Sequence, residues 1–153
     1  MDAANISPQQ VAEIEITYKN TVKASDRLKI TNSQTCFAVL RNLWSPKIEY
    51  VEEFYVLLLN RANQVLGVTK ISEGGTSGCV VDPKRIFQTA LKANASSIIL
   101  SHNHPSGNCQ PSEADKMITK KVKEAGILLE ISVLDHLILA NEDYFSFADA
   151  GLL

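Results

Sequence analysis

The sequence predicts an α/β fold, a single domain over residues 1–153 with one mixed, partly antiparallel β-sheet flanked by helices. Three observations predict it. Two strand-like runs, "EEFYVLLLN" and "VLGVTKI", are separated only by the turn-forming "RANQ". A strongly capped helical segment, "VDPKRIFQTALKANA", runs straight into the apolar "SSIIL". No internal repeat, linker or low-complexity tract divides the chain. A length of 153 residues, 45% hydrophobic and 21% charged, suits one globule with one good core.

In chain order, "EIEITYK" alternates Ile14, Ile16 and Tyr18 with polar partners, the period of a strand with one buried face. "SQTCFAVLRNLW" places Phe37, Leu40 and Trp44 at helical spacing, with Asn32 or Ser33 as N-cap and Pro46 just beyond. The hairpin follows. "SEGGTSG" is a loop by composition, in which Gly74, Gly75 and Gly78 permit unusual backbone angles. In the next helix Asp82 is the N-cap, Pro83 the first helical residue, and Ile86, Ala90 and Leu91 form one face. A later helix is expected to start at Ser112 and stop at Gly126. "ILLEISVLDHLILA" then reads as a long strand, and "DYFSFADAGLL" as a terminal segment packed back on the body.

The formal net charge of -2 lacks the basic excess expected of a nucleic-acid or membrane-surface protein. Three widely spaced cysteines with no C-x-x-C pair indicate neither a disulfide framework nor a cysteine zinc knuckle. The N-terminus has no signal-peptide pattern, and no window approaches the roughly 18 apolar residues of a membrane span. These features point to a cytoplasmic protein that does not enter the membrane.

Chemistry concentrates in "SHNHPSGNCQPSEAD", Ser101 to Asp115, which holds two of the three histidines. At the end of a strand His102 and His104 share a face, their α-carbons roughly 6.5 Å apart at about 3.3 Å rise per residue. Pro105, Ser106 and Gly107 force a turn, and the returning helix carries Asp115 in its first turn. Two histidines and a carboxylate with an open fourth position suit a catalytic zinc site. The competing reading is a helix cap: Ser112 and Asp115 satisfy S-x-x-D, a capping-box start that needs no metal.

The whole constellation resembles the JAMM motif of the JAB/MPN+ metalloproteases: an upstream glutamate, H-x-H-P, then S-x-x-D. It stands here as His102-Asn103-His104-Pro105, six intervening residues, and Ser112-Glu113-Ala114-Asp115. More narrowly, "EEFYVLLLNRANQVLG", "SEGG", "SHNHPSGN", "PSEAD", "LDHLI" and "SFADAGLL" resemble the C-terminal domain of RadC-like proteins, from about Ile30 to Leu153, leaving 1–30 as an extension. The resemblance implies a JAB/MPN fold of cytidine-deaminase-like architecture and a Zn2+ cofactor held by His102, His104 and Asp115. It also implies that Ser112 helps hold an oxyanion and that a glutamate acts as general base. The sequence offers Glu52 and Glu53, which alternation sends to opposite faces. The family spacing E-x-F selects Glu52. Asn103 stands where many JAMM peptidases have serine or threonine, and RadC-like members resemble this chain there.

Other residues have competing readings. His136 in "LDHLI" is a buried core histidine or a partner hydrogen-bonded behind a ligand, rather than a ligand itself. Asp135 faces the other side of its strand. Cys109 lies between the ligands, but a three-ligand site needs its fourth position for water, so Cys109 reads as a loop thiol open to oxidation. Lys116, Lys120 and Lys123 form a helical stripe that reads as a solvated face or a local basic patch.

The resemblance thus implies a zinc-dependent hydrolase cutting an amide or isopeptide bond in a peptide partner. One alternative is a DNA-associated protein, since RadC-like proteins carry a DNA-repair label. The helix-hairpin-helix segment that often precedes the domain does not fit in the thirty residues ahead of the resemblance. The other alternative is an interaction module that keeps the metal without turnover. A zinc nucleobase deaminase is excluded, because neither H-x-E nor P-C-x-x-C occurs. The scissile bond and the oligomeric state are not encoded in these patterns.

Overall fold

The structure, a computed structural model, describes residues 11–74 and 79–153. Among them three helices, α1 (Ser33–Leu43), α2 (Pro83–Lys92) and α3 (Glu113–Leu128), flank one five-stranded sheet. Its strands are β1 (Glu53–Leu59), β2 (Val65–Glu73), β3 (Ser97–Asn103), β4 (Ser132–Leu139) and β5 (Tyr144–Ser146), in the spatial order β2-β1-β3-β4-β5. β3 and β4 are parallel and joined through α3; the other neighbours are antiparallel. The sheet is therefore mixed, as the sequence predicts.

Strand alternation divides the core. Phe54, Val56, Leu58, Ile98 and Leu100 point to the face covered by α2 and α3, where Ile86, Phe87, Ala90 and Val122 meet them. Leu57, Leu59, Ile99, Leu137 and Leu139 point to the other face, against Cys36, Leu40 and Trp44 of the α1 segment. Fully burying each large apolar side chain contributes about 1.5–3 kcal/mol. Truncation of Leu57, which is wholly buried, costs roughly 2–5 kcal/mol.

Helix starts follow their caps. The Asn32 side chain accepts from the Thr35 amide at 2.8 Å, and Asp82 accepts from Lys84 at 2.9 Å. In α2 the buried face centres between Ile86 and Phe87, about 90° from Leu91 at the helix repeat of 3.6 residues, so Leu91 is 56% exposed and Phe87 takes its expected place.

Two further expectations are corrected. Residues 13–19 form no strand, and Ile14 and Ile16 remain 86% and 80% exposed. Alternation says which side chains would share a face, but a strand also needs a backbone partner and something to bury against. Gly126 lies inside α3 rather than beyond its end, so Ile127 and Leu128 are helical instead of opening β4. The chain turns at Glu130, whose φ is +56°, and Ile131 then donates to the Gly126 carbonyl at 2.8 Å. A Cβ at Gly126 would lie 2.4 Å from the Ile131 carbonyl oxygen, so glycine serves a close backbone approach. Gly75 and Gly78 lie outside the described residues.

Candidate metal centre

The site forms where the end of β3 meets the start of β1 and the N-terminus of α3. In the antiparallel β1–β3 register Phe54 stands opposite His102, so the two share a face. Two residues before Phe54 and two after His102 come Glu52 and His104, which alternation directs to the same side. A cavity of about 400 Å³ on that side is lined by Glu52, Phe54, His102, His104, Ser112 and Asp115, with Cys79, Val81 and Ile118 completing its walls.

His104 closes a turn: its carbonyl accepts from Gly107, whose φ of +82° suits glycine. Its ring donates Nδ1–H to the Asn108 carbonyl at 2.7 Å, leaving Nε2 unprotonated toward the cavity in the neutral ring. The chain then enters α3 through a complete capping box. Ser112 Oγ accepts from the Asp115 amide at 3.1 Å, and Asp115 Oδ2 accepts from the Ser112 amide at 2.7 Å. The cap and the candidate site therefore coexist. Serine holds the helix start and directs the aspartate back to the histidines, and among the described residues its own O–H proton has no acceptor.

His102, His104 and Asp115 form a group whose ligand atoms all lie within 4.8 Å of one another. His102 Nε2 is 3.0 Å from His104 Nε2 and 3.1 Å from Asp115 Oδ1, and His104 Nε2 is 3.4 Å from Asp115 Oδ2. Tetrahedral bonds of about 2.0–2.1 Å to one zinc would set such atoms roughly 3.3 Å apart. The residues present thus fit zinc. Burial raises the pKa of the Asp115 carboxyl, but hydrogen bonding to the His102 and His104 rings, made whenever one of them carries a proton on Nε2, outweighs it and holds the group well below its ordinary range. The same hydrogen bond with Asp115 raises the pKa of His104.

The two candidate bases part. Glu52 is half-buried in the cavity wall, and its Oε1 accepts from the Cys79 thiol at 3.8 Å. Burial pushes that thiol up to about 11, so it stays protonated at neutral pH. Glu53 is fully buried on the opposite face, paired with Lys70 at 2.6 Å and bonded to Ser45. Asn103 lies on that face too: its side chain accepts from the Glu53 amide and donates to the Ile48 and Val51 carbonyls. Asn103 thereby fastens the segment that presents Glu52.

His136 is fully buried behind His102, with Nε2 2.8 Å from His102 Nδ1 and Nδ1 2.6 Å from Thr119 Oγ1. Asp135 points away and accepts from Ser146 and the Ala148 amide. Cys109 packs with Ile138, Ala140 and Phe147 and stands outside the His102, His104, Asp115 group. Lys116 and Lys120 pair with Glu113 and Glu124, at 2.7 and 4.0 Å. No sequence motif marks Thr119 or Cys79 as part of the site. Thr119 follows Asp115 at i+4, so the helical repeat could have placed it beside the site, whereas Cys79 carries no comparable local signal. Among the described residues no helix is long and apolar enough to cross a membrane.

A family model described as RadC-like JAB domain matches residues 30–152. The chain is 41% identical over 143 residues to a UPF0758 protein of Flavobacterium johnsoniae, which covers 93% of this chain and 62% of the relative. It is 48% identical over 105 residues to a UPF0758 protein of Chlorobaculum tepidum, 69% of this chain and 47% of that one. With a UPF0758 protein of Symbiobacterium thermophilum the identity is 40% over 129 residues, 83% of this chain and 53% of the relative. The chain thus spans about half to three-fifths of these relatives.

Proposed function

Because this chain belongs to the RadC-like JAB domain family, we propose that it is a zinc-dependent hydrolase that cuts an amide or isopeptide bond. The observation that carries the reading is the convergence of His102, His104 and Asp115 in one cavity with the carboxylate of Glu52. Zinc, when bound, supplies a Lewis acid that polarises a carbonyl and makes water acidic enough to react near neutral pH.

The protein's own groups supply the rest. Glu52 takes a proton from the attacking water as the new carbon–oxygen bond forms, and passes it to the leaving nitrogen as the carbon–nitrogen bond breaks. Ser112 donates its free O–H proton to the carbonyl oxygen as negative charge develops there. Asp115, kept ionised, offers a charged ligand, and His104 is oriented by the Asn108 carbonyl. Phe54, Val81 and Ile118 give the cavity an apolar wall against which a substrate chain can pack.

The reading is tested with panels of peptides and isopeptides incubated with zinc-loaded protein. Wild type is expected to cleave a member of the panel and Glu52→Gln to be slower by roughly 10²–10⁴-fold with zinc affinity unchanged. Equal rates in the two proteins would remove Glu52 from the mechanism. Zinc binding and zinc-dependent thermal stability with no cleavage would instead indicate a metal-holding interaction module.

A further inference from the structure

We propose that Thr119 and His136 are positioning residues that fix the tautomer of His102, so that it turns a lone pair rather than an N–H toward His104 and Asp115. The proposal rests on the reading of these three residues as zinc ligands. It concerns a hydrogen-bonded chain that takes no part in the hydrolytic steps above.

The chain begins at a group with no choice. The Thr119 hydroxyl lies 2.6 Å from the main-chain carbonyl of Asp115 and 2.6 Å from His136 Nδ1. A carbonyl oxygen only accepts, and a hydroxyl has one proton to give, so that proton points at Asp115. Thr119 Oγ1 must then accept from His136, which places the His136 proton on Nδ1. His136 is completely buried, and in its neutral ring the single proton on Nδ1 leaves Nε2 with a lone pair.

That lone pair sits 2.8 Å from His102 Nδ1, so His102 must donate from Nδ1. Its Nε2 is left bare, as His104 Nε2 is left bare by the Asn108 carbonyl. Two imidazole lone pairs 3.0 Å apart, both beside a carboxylate, repel unless they share a proton or a cation. Thr119 and Asp115 are one helical turn apart, so the chain runs from the backbone of one ligand residue to the ring of another. Ring packing limits alternatives: Phe54 stacks on His102 at 5.9 Å, and Phe147 stacks on His136 at 4.9 Å. The β3–β4 pairing brings the two histidine rings together.

Nitrogen-15 long-range correlation spectra of the metal-free protein, at about pH 8 where free histidine is neutral, read the tautomers directly. Wild-type His102 is expected as the Nδ1–H form. Thr119→Val removes the acceptor for His136, which can then carry its proton on Nε2 and drive His102 to Nε2–H. Zinc affinity, measured against a competing chelator, should fall roughly 10–100-fold, and Thr119→Ser should restore both readouts. The proposal is overturned if wild-type His102 carries its proton on Nε2, a result independent of how any variant folds. It is equally overturned if Thr119→Val keeps both the wild-type tautomer and the wild-type affinity. A wild type with the Nδ1–H form that binds no zinc would support the tautomer relay and overturn the ligand assignment instead.

Discussion

Phe54 and His102 stand directly opposite each other across the β1–β3 pair, their rings stacked at 5.9 Å and within 7° of parallel. This register sends Glu52 and His104 to one face of the sheet and Glu53 and Asn103 to the other. A one-residue slip would exchange the two glutamates.

Glu53 is therefore a structural carboxylate, and Glu53→Gln should destabilise the fold by roughly 1–3 kcal/mol, the cost of weakening hydrogen-bonded charge contacts at a buried site. Lys70 limits the loss, since it is 37% exposed and keeps its second partner, Glu73. Urea unfolding checks this. Glu52→Gln, on the cavity wall, should unfold within about 0.5 kcal/mol of wild type.

Asn103 joins three backbone groups, the Glu53 amide and the Ile48 and Val51 carbonyls. Asn103→Leu leaves these partners without the amide and should cost roughly 2–4 kcal/mol. It should also increase hydrogen exchange across residues 48–53, the segment that carries Glu52. Exchange rates equal to wild type there would show that other contacts hold the segment.

Gly126→Ala sets a helix preference against a collision. Alanine is favoured over glycine in a helix by about 1 kcal/mol, but its Cβ would lie 2.4 Å from the Ile131 carbonyl oxygen. We expect a net loss of roughly 1–3 kcal/mol from overpacking, seen as a lower urea midpoint. A gain would mean that the α3–β4 turn yields easily.

Glu73 accepts from Lys47 at 2.6 Å and from Lys70 at 2.8 Å, and these hydrogen bonds depress its pKa from 4.5 to about 2. A depressed carboxylate stabilises the fold above its unfolded pKa and loses that contribution as pH falls. Stability should thus decline from about pH 4.5 toward 2 through this group. Glu73→Gln should flatten that part of the acid unfolding profile.

The local elements were legible in the sequence because their signals are local. Asn32, Asp82 and Ser112 cap helices as their side chains dictate, and the hairpin and β3 follow from apolar runs between turn residues. The approach of His102, His104 and Asp115 also follows locally, from an i, i+2 pair, a Pro-Ser-Gly turn and a capping box. Sheet order is a non-local property. Nothing near His136 says that β4 lies parallel to β3, so its contact with His102 emerges only in the fold. Gly126 imitated a helix stop because glycine serves both chain reversal and close approach. Residues 13–19 carry a strand pattern but pair with no strand among the described residues.

The central claim is that His102, His104 and Asp115 form a zinc site, and the most direct measurement is metal content after zinc loading and removal of excess metal. Wild type should retain one zinc per chain. The triple variant His102→Ala, His104→Ala, Asp115→Ala, compared at equal folded fraction, should retain none. At zinc concentrations about 100 times the dissociation constant, wild type alone should gain about 2.7 kcal/mol of stability. Wild-type protein that holds no more zinc than the triple variant would contradict the account.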